Sequence, residues 1–393
     1  MNEGASQSRL REMNLATVLR VLFAEAPLSR ADVATRTGLT RSTVSRLVDE
    51  LIVNGLVVEL APDGRGTRGR PAVPIMPASH TWMGLGLELN IGHAAARLID
   101  LAGEVVAEDV VHADFTTSDP EETLTALAES GRRLLVAAPG SAKLVGARLA
   151  LPGLVDSTTG TLLRAPNLGW SMVEAAAIVA RVLGGDVSVG IGNEADYAAL
   201  TVARQGPGRP SPHTDFLYVS GEVGIGSALV RGSELVGGRH GWAGEIGHTC
   251  VDPTGLQCGC GARGCLETVA GQRALMAAAG VRDREALEAA LVRGDERAAD
   301  AVAKAGRALG IALSGALNLL DISVVVLGGH LGALSGYLLP TLTEELTTRV
   351  LAAPFDLPTI EPVVVDNAPA ASGAAFAALE GVLADPASWV VQV

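Results

Sequence analysis

Four cysteines and one histidine are the residues whose types and spacing point most directly to a chemistry. Cys258, Cys260 and Cys265 lie close together, His248 and Cys250 precede them, and the 393-residue sequence has no other cysteine. A chain this long, with 48% hydrophobic residues, does not need disulfides to fold, so the spacing predicts a metal site. His248 and the three later cysteines satisfy a tetrahedral structural zinc ion, and the interleaved glycines allow tight turns. Cys250 is a rival ligand, and buried free thiols are the alternative.

Charge is distributed unevenly between the two ends of the chain. Residues 1–80 hold ten Arg and eight acidic residues, a net charge of +2, whereas residues 81–393 hold twenty basic and thirty-five acidic residues, a net charge of −15. This asymmetry predicts a DNA-facing head on an acidic body. No apolar run approaches the ~18 residues that span a bilayer, and the N-terminus lacks a signal-type stretch, so we expect a cytoplasmic protein without a membrane segment.

The elements that would position the head's basic residues are three short helices. Apolar residues recur there at helical spacing. Ser29 and Asp32 form a capping box at the start of the second helix, Gly38 ends it, and Thr40 caps the third. The exposed face of the third helix then carries the predicted DNA contacts, which are Arg41, Ser42, Thr43, Ser45 and Arg46.

Two short strands follow these helices and complete the predicted head. Residues 56–60 and 72–76 read as strands, and the Gly-rich tip between them carries Arg65, Arg68 and Arg70. Helices followed by such a hairpin predict a winged helix-turn-helix over residues 1–78, with the third helix in the major groove of DNA and the basic wing beside it. The alternative is a plain helical bundle with solvated arginines. Prolines in residues 71–80 predict a stiff linker to the body.

The body repeats one strand pattern twice. Alternating apolar residues from Gly84 predict strand, turn, strand, turn, strand, and the same pattern returns from Phe216. Helices are predicted between and after the strands, with Asp119 capping one of them. The sequence therefore predicts a duplicated α/β body over residues 81–393, with lobes of about 81–195 and 196–393 and a cleft between them.

Three motifs give the chain a family resemblance. They are Leu-Pro-Gly-Leu-Val-Asp at 151–156, Gly-Glu-Ile-Gly-His at 244–248 and Cys-Gly-Cys-Gly-Ala-Arg-Gly-Cys-Leu-Glu at 258–267. With the head, they resemble transcriptional regulators of the ROK (repressor, open reading frame, kinase) family, especially its xylose-repressor-type members. The resemblance implies an actin-like, two-lobed sugar-kinase (RNase H-like) body behind a winged helix, a zinc-ordered loop at a sugar pocket, and a homodimer or homotetramer.

The resemblance also implies which residues bind the sugar. Carboxylates and amides can form paired hydrogen bonds to vicinal hydroxyls, and a zinc-bound imidazole can offer its other nitrogen to the same ligand. The positions that match are Asn193, Glu194, Glu245, His248 and Glu267. Gly153 and Asn167 are weaker candidates for the same sugar pocket.

Two departures from the family's kinases favour a regulator over an enzyme. Family kinases have an Asp beside the Asn as the catalytic base, where this chain has Glu194; the displaced carboxylate can cost ~10²-fold in rate. Their Asp-x-Gly-Gly-Thr phosphate loop is replaced by residues 88–93, Glu-Leu-Asn-Ile-Gly-His. Without that loop little remains to position a γ-phosphoryl group, so we predict no catalytic residues.

The sequence as a whole predicts a sugar-responsive DNA-binding repressor of carbohydrate genes. Its partners would be double-stranded operator DNA and a small sugar of the xylose, glucose or N-acetylglucosamine class, which would release the protein from DNA. An active ROK-type sugar kinase and a regulator that answers to a partner protein are the alternatives.

Overall fold

A three-helix head with a two-stranded ribbon opens the chain. The computed structural model describes residues 3–61, 73–140, 142–363 and 367–390, with side chains from residue 7 onward. The head's elements are α1 (Glu3–Glu25), α2 (Arg30–Thr37), α3 (Arg41–Val53), β1 (Val57–Glu59) and β2 (Ile75–Pro77). β1 and β2 pair antiparallel. The arginines at 65, 68 and 70 that were predicted for the wing tip lie outside the described residues.

The predicted helix ends of the head are confirmed. Ser29 and Asp32 form the capping box of α2, and Gly38 ends that helix with φ of 69°. Thr40 caps α3 by accepting a hydrogen bond from the Thr43 amide. α1 begins twelve residues earlier than the apolar pattern from Leu15 suggests. Residues 7–13 are mostly exposed, so they add no buried apolar stripe to that pattern, and no proline interrupts the helix.

Each lobe of the body is built on one five-stranded mixed sheet. The first sheet has the order β10-β6-β3-β4-β5 and the second has the order β15-β14-β13-β16-β17. The strands of the first sheet are β3 (Trp82–Leu89), β4 (His93–Asp100), β5 (Val105–His112), β6 (Lys143–Leu151) and β10 (Val189–Asn193). Those of the second are β13 (Phe216–Gly221), β14 (Ile225–Arg231), β15 (Glu234–Leu235), β16 (Val324–Gly328) and β17 (Thr359–Pro362).

The two sheets repeat one topology, which confirms the predicted duplication. In each, the first three strands form an antiparallel meander, and two later strands add parallel to the first. Two small sheets accompany them, made of β7 (Leu154–Asp156), β8 (Thr161–Ala165) and β9 (Trp170–Val173), and of β11 (Arg204–Gly206) and β12 (Arg209–Pro210).

Helices cover the sheets and close the two main cores. The first lobe carries α4 (Pro120–Ala137) and α5 (Ala175–Leu183), and α6 (Glu194–Ala203) follows β10 but packs on α13 and on β14 of the second sheet. The second carries α7 (Glu267–Ala270), α8 (Gln272–Ala279), α9 (Arg284–Val292), α10 (Glu296–Leu320), α11 (Gly329–Ala333) and α12 (Ser335–Arg349). The last helix, α13 (Pro369–Ala384), returns to pack on β3, β6 and α6. Asp119 caps α4 as predicted.

The head and the body share one hydrophobic core, where the sequence predicts a stiff linker. Leu19 and Phe23 of α1 pack in one cluster with Leu379 and Leu383 of α13. The indole of Trp82 donates to the Asn54 carbonyl at 2.9 Å. In the described part of the predicted linker, Pro77 belongs to β2, and only four residues separate β2 from β3. No extended spacer therefore lies between the head and the body in that part of the chain. The head is thus packed against the body.

Among the described residues, no helix combines the length and the apolarity that crossing a bilayer requires.

Candidate functional site

The predicted metal-binding residues converge in the structure. The ligand atoms of His248, Cys258, Cys260 and Cys265 all lie within 4.8 Å of one another. The Cys260 and Cys265 sulfurs are 3.8 Å apart, and Nδ1 of His248 is 3.7 Å from the Cys258 sulfur. These are the edge lengths of a tetrahedron around an ion with bonds of about 2.3 Å to sulfur and about 2.0 Å to nitrogen. The cluster could therefore hold a metal ion.

Short backbone hydrogen bonds shape the loop that carries these ligands, residues 248–267, which we call the metal loop. The Cys258 amide donates to the Ala262 carbonyl at 2.8 Å, and the Gly261 amide donates to the Cys258 carbonyl at 3.0 Å. This tight turn brings Cys260 back towards the chain that reaches Cys265. Cys250, the rival ligand, is exposed and is not part of the cluster.

A cavity between the lobes lies beside this loop and opens to solvent, with a volume of about 560 Å³ when its open mouth is included. We call it the inner cavity. It is lined by Asn90, Ile91, Pro152, Gly153, Ala165, Pro166, Asn167, Asn193, Glu194, Gly224, Ile225, Gly226, Gly244, Glu245, His248 and Glu267. The five residues predicted to bind a sugar, and the weaker candidates Gly153 and Asn167, therefore lie at one place. Among the described residues that line this cavity there is neither a lysine nor an arginine.

The polar side chains on the first-lobe side of the inner cavity are held by local hydrogen bonds. Asn193 ends β10 and caps α6 by accepting from the Ala195 amide at 2.7 Å, while its own amide group donates to the Gly153 carbonyl at 3.0 Å. Glu194 begins α6 and accepts a hydrogen bond from Asn90 at 2.8 Å. A strand-to-helix junction thus points both side chains into the cleft.

Glu267 holds the opposite wall of the inner cavity. Its carboxylate accepts from the Ile225 amide at 3.3 Å and lies 3.3–3.4 Å from the Asn167 amide nitrogen. Gly224 makes this approach feasible, since a Cβ there would lie 2.2 Å from a Glu267 carboxylate oxygen. Glu267 therefore links the end of the metal loop to both lobes.

His248 connects the metal cluster to the inner cavity. Its Nδ1 faces the sulfurs, whereas its Nε2 is 3.8 Å from a carboxylate oxygen of Glu245. Burial raises the pKa of Glu245. A metal on Nδ1 would fix the imidazole ring and leave the Nε2 proton for a ligand in the cavity.

Farther along the cleft lies a middle cavity of about 340 Å³, lined by Glu88, Glu194 and Glu222 among others. Burial, reinforced by the other two carboxylates, raises the pKa of Glu194 to about 8. Burial also raises the pKa of Glu222 to about 7. Glu88 lies 3.0 Å from Nε2 of His93 and accepts from the Ala371 amide at 2.7 Å. Here buried carboxyl groups crowd one another, so that at pH 7 Glu194 is held largely in the neutral form and Glu222 is about half protonated.

The cleft then widens into a large cavity of about 1530 Å³. Its carboxylates are Glu222, Asp283, Glu285 and Glu288, and Arg284 is the one Lys or Arg among the described residues that line it. Sequence reasoning identified the missing glycine and threonine of the phosphate loop but missed this acidic lining. The acidic residues along the middle and large cavities come from distant segments of the chain. Only Glu88 of the middle cavity, a charge within an apolar strand, indicated from the sequence that a buried acidic site exists.

The predicted DNA-binding residues lie together on one face of α3. Arg41, Ser42 and Arg46 are exposed, and Thr43 and Ser45 are partly buried. The opposite face, with Val44, Leu47, Val48 and Leu51, is buried in the head's core. Neither Arg41 nor Arg46 forms an ion pair within the described part of the chain, so both guanidinium groups are available to a ligand.

Comparisons with known proteins agree with this arrangement. Residues 85–380 match the ROK family, and residues 16–66 match the MarR family. The xylose repressor of Caldicellulosiruptor bescii is 28% identical over 365 residues, which cover 88% of this chain and 90% of that protein. A crystal structure described as a ROK family transcriptional regulator, a homologue of the E. coli MLC protein, has a TM-score of 0.77 at 25% identity and covers 95% of this chain and 98% of its own. The ROK hexokinase of Thermus thermophilus has a TM-score of 0.61 at 29% identity, with 76% of this chain and 99% of the hexokinase covered.

Proposed function

This chain belongs to the ROK family, and from that premise we propose that it is a sugar-responsive transcriptional repressor of carbohydrate genes that acts in the cytoplasm. Residues 1–78 would bind operator DNA and residues 81–393 would sense the sugar. The observation that carries the proposal is the presence in one chain of an exposed Arg and Ser face on α3 and a polar cavity suited to a sugar. Two heads of a homodimer or homotetramer would occupy successive major grooves of the operator.

The inner cavity supplies the chemistry for a neutral polyol. Asn193, Glu194, Glu245 and Glu267 present amide and carboxyl groups from both lobes, and paired hydrogen bonds to vicinal hydroxyls need such groups. A sugar of the xylose, glucose or N-acetylglucosamine class would bridge the lobes and favour one angle between them. Binding would then shift the population of body conformations only by the difference in sugar affinity between them.

Zinc is the metal we propose for the His248, Cys258, Cys260 and Cys265 cluster. The donor set and the tetrahedral spacing fit a closed structural site, which leaves no open coordination position for catalysis. The ion would order the loop that carries Cys265 and Glu267 and would hold the His248 ring towards the sugar.

The large cavity argues against kinase activity. Phosphoryl transfer depends on cationic groups and metal ions that neutralise the phosphates. The described lining of the large cavity offers four carboxylates against one guanidinium, and Glu88 and Glu194 add two more acids next to it. With Glu194 in the place of the kinase Asp, these groups support a sensor over an enzyme, although the family also contains hexokinases.

Helix α13 offers a physical route from the cleft to the head. Pro369 at its start lines both the middle and the large cavity, and the neighbouring Ala371 amide donates to Glu88. Leu383 near its end lies in the core shared with α1. A 16-residue helix spans ~24 Å. A change of lobe angle would therefore reach the head through packed side chains.

Fluorescence anisotropy tests the DNA-binding half of the proposal. Purified protein is titrated, at one fixed salt concentration, onto labelled DNA from immediately upstream of its own gene and onto random DNA of equal length. We expect tight binding to the first, and a loss of about tenfold or more in Arg41→Ala and Arg46→Ala, because each removes a base or phosphate contact.

The control is Arg282→Ala, which removes an exposed arginine from the body. Its DNA affinity should equal that of the parent protein. Equal affinity of the parent for upstream and random DNA would contradict the proposal and favour the kinase alternative. Specific binding that no sugar changes would favour a partner protein as the signal.

A further inference from the structure

A second cavity lies next to the inner cavity and shares part of its lining. We call it the side cavity. It has a volume of about 380 Å³, its open mouth included, and Gly153, Pro166, Glu245 and His248 line both cavities. A ligand held by Glu245 and His248 would therefore be in contact with residues of both spaces, and an extended ligand bound there could reach from one cavity into the other.

The lining of the side cavity differs from that of the inner cavity. Its own contributions are Leu154, Arg164 and Cys260. Arg164 is held in place because its guanidinium donates to the Cys260 carbonyl at 3.0 Å. A guanidinium has five N–H donors, so most remain for ligand hydroxyls. Leu154 and Pro166 add apolar surface. A flat group with one apolar face and a hydroxylated rim matches this lining.

An exposed aromatic pair lies outside the described lining of the side cavity but is joined by a hydrogen bond to the segment that forms it. Trp242 precedes Glu245 by three residues, and its indole nitrogen donates to the carbonyl of Val155, the residue after Leu154, at 3.0 Å. The ring stacks on His240, with centroids 4.8 Å apart and planes inclined by 27°, yet remains 40% exposed. Because the indole N–H is already bonded, only the apolar ring surface is left for another molecule.

We propose that the effector is a glycoside of at least two sugar units, with one unit in the inner cavity and the next in the side cavity against Leu154, Arg164 and the exposed face of Trp242. This inference rests on the proposed sugar-sensing function and specifies its ligand class. The carboxyl and amide groups of the inner cavity select the first ring by its hydroxyls. The side cavity recognises the second ring by its apolar face and rim hydroxyls, which excludes a free monosaccharide as the best ligand.

Calorimetry with matched sugars tests the proposal on the full-length, metal-loaded protein. The ligands are the pairs xylose and xylobiose, glucose and cellobiose, and N-acetylglucosamine and chitobiose. In one pair the disaccharide should bind about tenfold tighter than its monosaccharide, the size expected of one aromatic contact with added hydrogen bonds. Trp242→Ala should remove most of that difference and leave monosaccharide affinity unchanged.

The matched control is Leu256→Ala, which removes an exposed apolar side chain, 71% accessible, from the metal loop; both sugars should bind it as they bind the parent. Equal affinity for the two members of the best pair would overturn the proposal, as would a Trp242→Ala variant that loses both sugars equally. If Trp242→Ala does not fold, the comparison within pairs on the parent protein still decides. Binding of a monosaccharide alone overturns only this inference, whereas no binding of any sugar overturns the sensing function as well.

Discussion

The two ends of the cleft differ in how their polar side chains are held and in the charge that these side chains carry. At the inner cavity, Asn193, Glu267 and His248 are held in place by hydrogen bonds and by the metal loop. At the large cavity, carboxylates outnumber the single guanidinium among the described lining residues. If the proposed function is right, this difference means that the part of the cleft suited to a polyol and the part that would handle phosphate can change independently in this fold.

Removing one metal ligand should have the largest effect on the sugar end of this comparison. Cys258→Ser replaces a buried ligand and should abolish metal retention and weaken sugar binding by roughly 10–100-fold, because His248 and Glu267 lose their support. Affinity for operator DNA without sugar should be unchanged.

Metal analysis and calorimetry on the same samples check this prediction. Cys250→Ser is the matched control, since Cys250 lies outside the cluster, and it should behave like the parent. Normal sugar affinity in a metal-free Cys258→Ser protein would show that the loop holds its shape unaided.

Ligands that carry phosphate test whether the acidic, large-cavity end of the cleft rejects negative charge. A 6-phosphate added to any sugar that binds should weaken its binding by at least about tenfold, because the raised pKa values of Glu194 and Glu222 show that this part of the cleft disfavours negative charge. MgATP should give no heat at millimolar concentration. Titrations at two salt concentrations check the origin of the effect, since a repulsion between charges weakens as salt rises. A phosphosugar that binds more tightly than its parent sugar would contradict the account.

A smaller effect is expected in the pH dependence of stability. The pKa of Glu194 is about 8 in the folded protein against about 4.3 in an unfolded chain. Its protonated form therefore favours folding below the unfolded value, and this contribution is lost as pH rises towards 8. Glu194→Gln removes the titration. The melting temperature of the parent should fall relative to that variant by roughly 2–4 °C between pH 5 and pH 8. A constant difference across this range would mean that Glu194 is ionised throughout.

Local features were predictable from the sequence because their physics is local. The capping box of Ser29 and Asp32 and the cap at Thr40 each join residues three positions apart, and the metal-binding residues from His248 to Cys265 lie 17 positions apart at most. The sugar-site residues were assigned by resemblance, since Asn193 and Glu267 lie 74 positions apart and no spacing rule joins them.

Long-range features were missed for the corresponding reason. The acidic lining joins Glu88, Glu222 and Glu288 from three separate segments. Glu222 and Glu288 read as ordinary surface charges, and only Glu88, a charge within an apolar strand, gave a local signal. α13 is an Ala-rich helix that is buried on most of its faces, so its sequence gives no sign that one end meets the cleft and the other meets the head. The stacked His240 and Trp242 also carried no pattern that pointed to a ligand.

Release of operator DNA by sugar, measured by anisotropy with and without MgATP, tests the central claim most directly. We expect one sugar to release the protein from DNA and to be recovered unphosphorylated. MgATP should leave the sugar concentration at half-release unchanged. Release that requires MgATP, or that proceeds with formation of a sugar phosphate, would contradict it and show that the cleft still transfers phosphate.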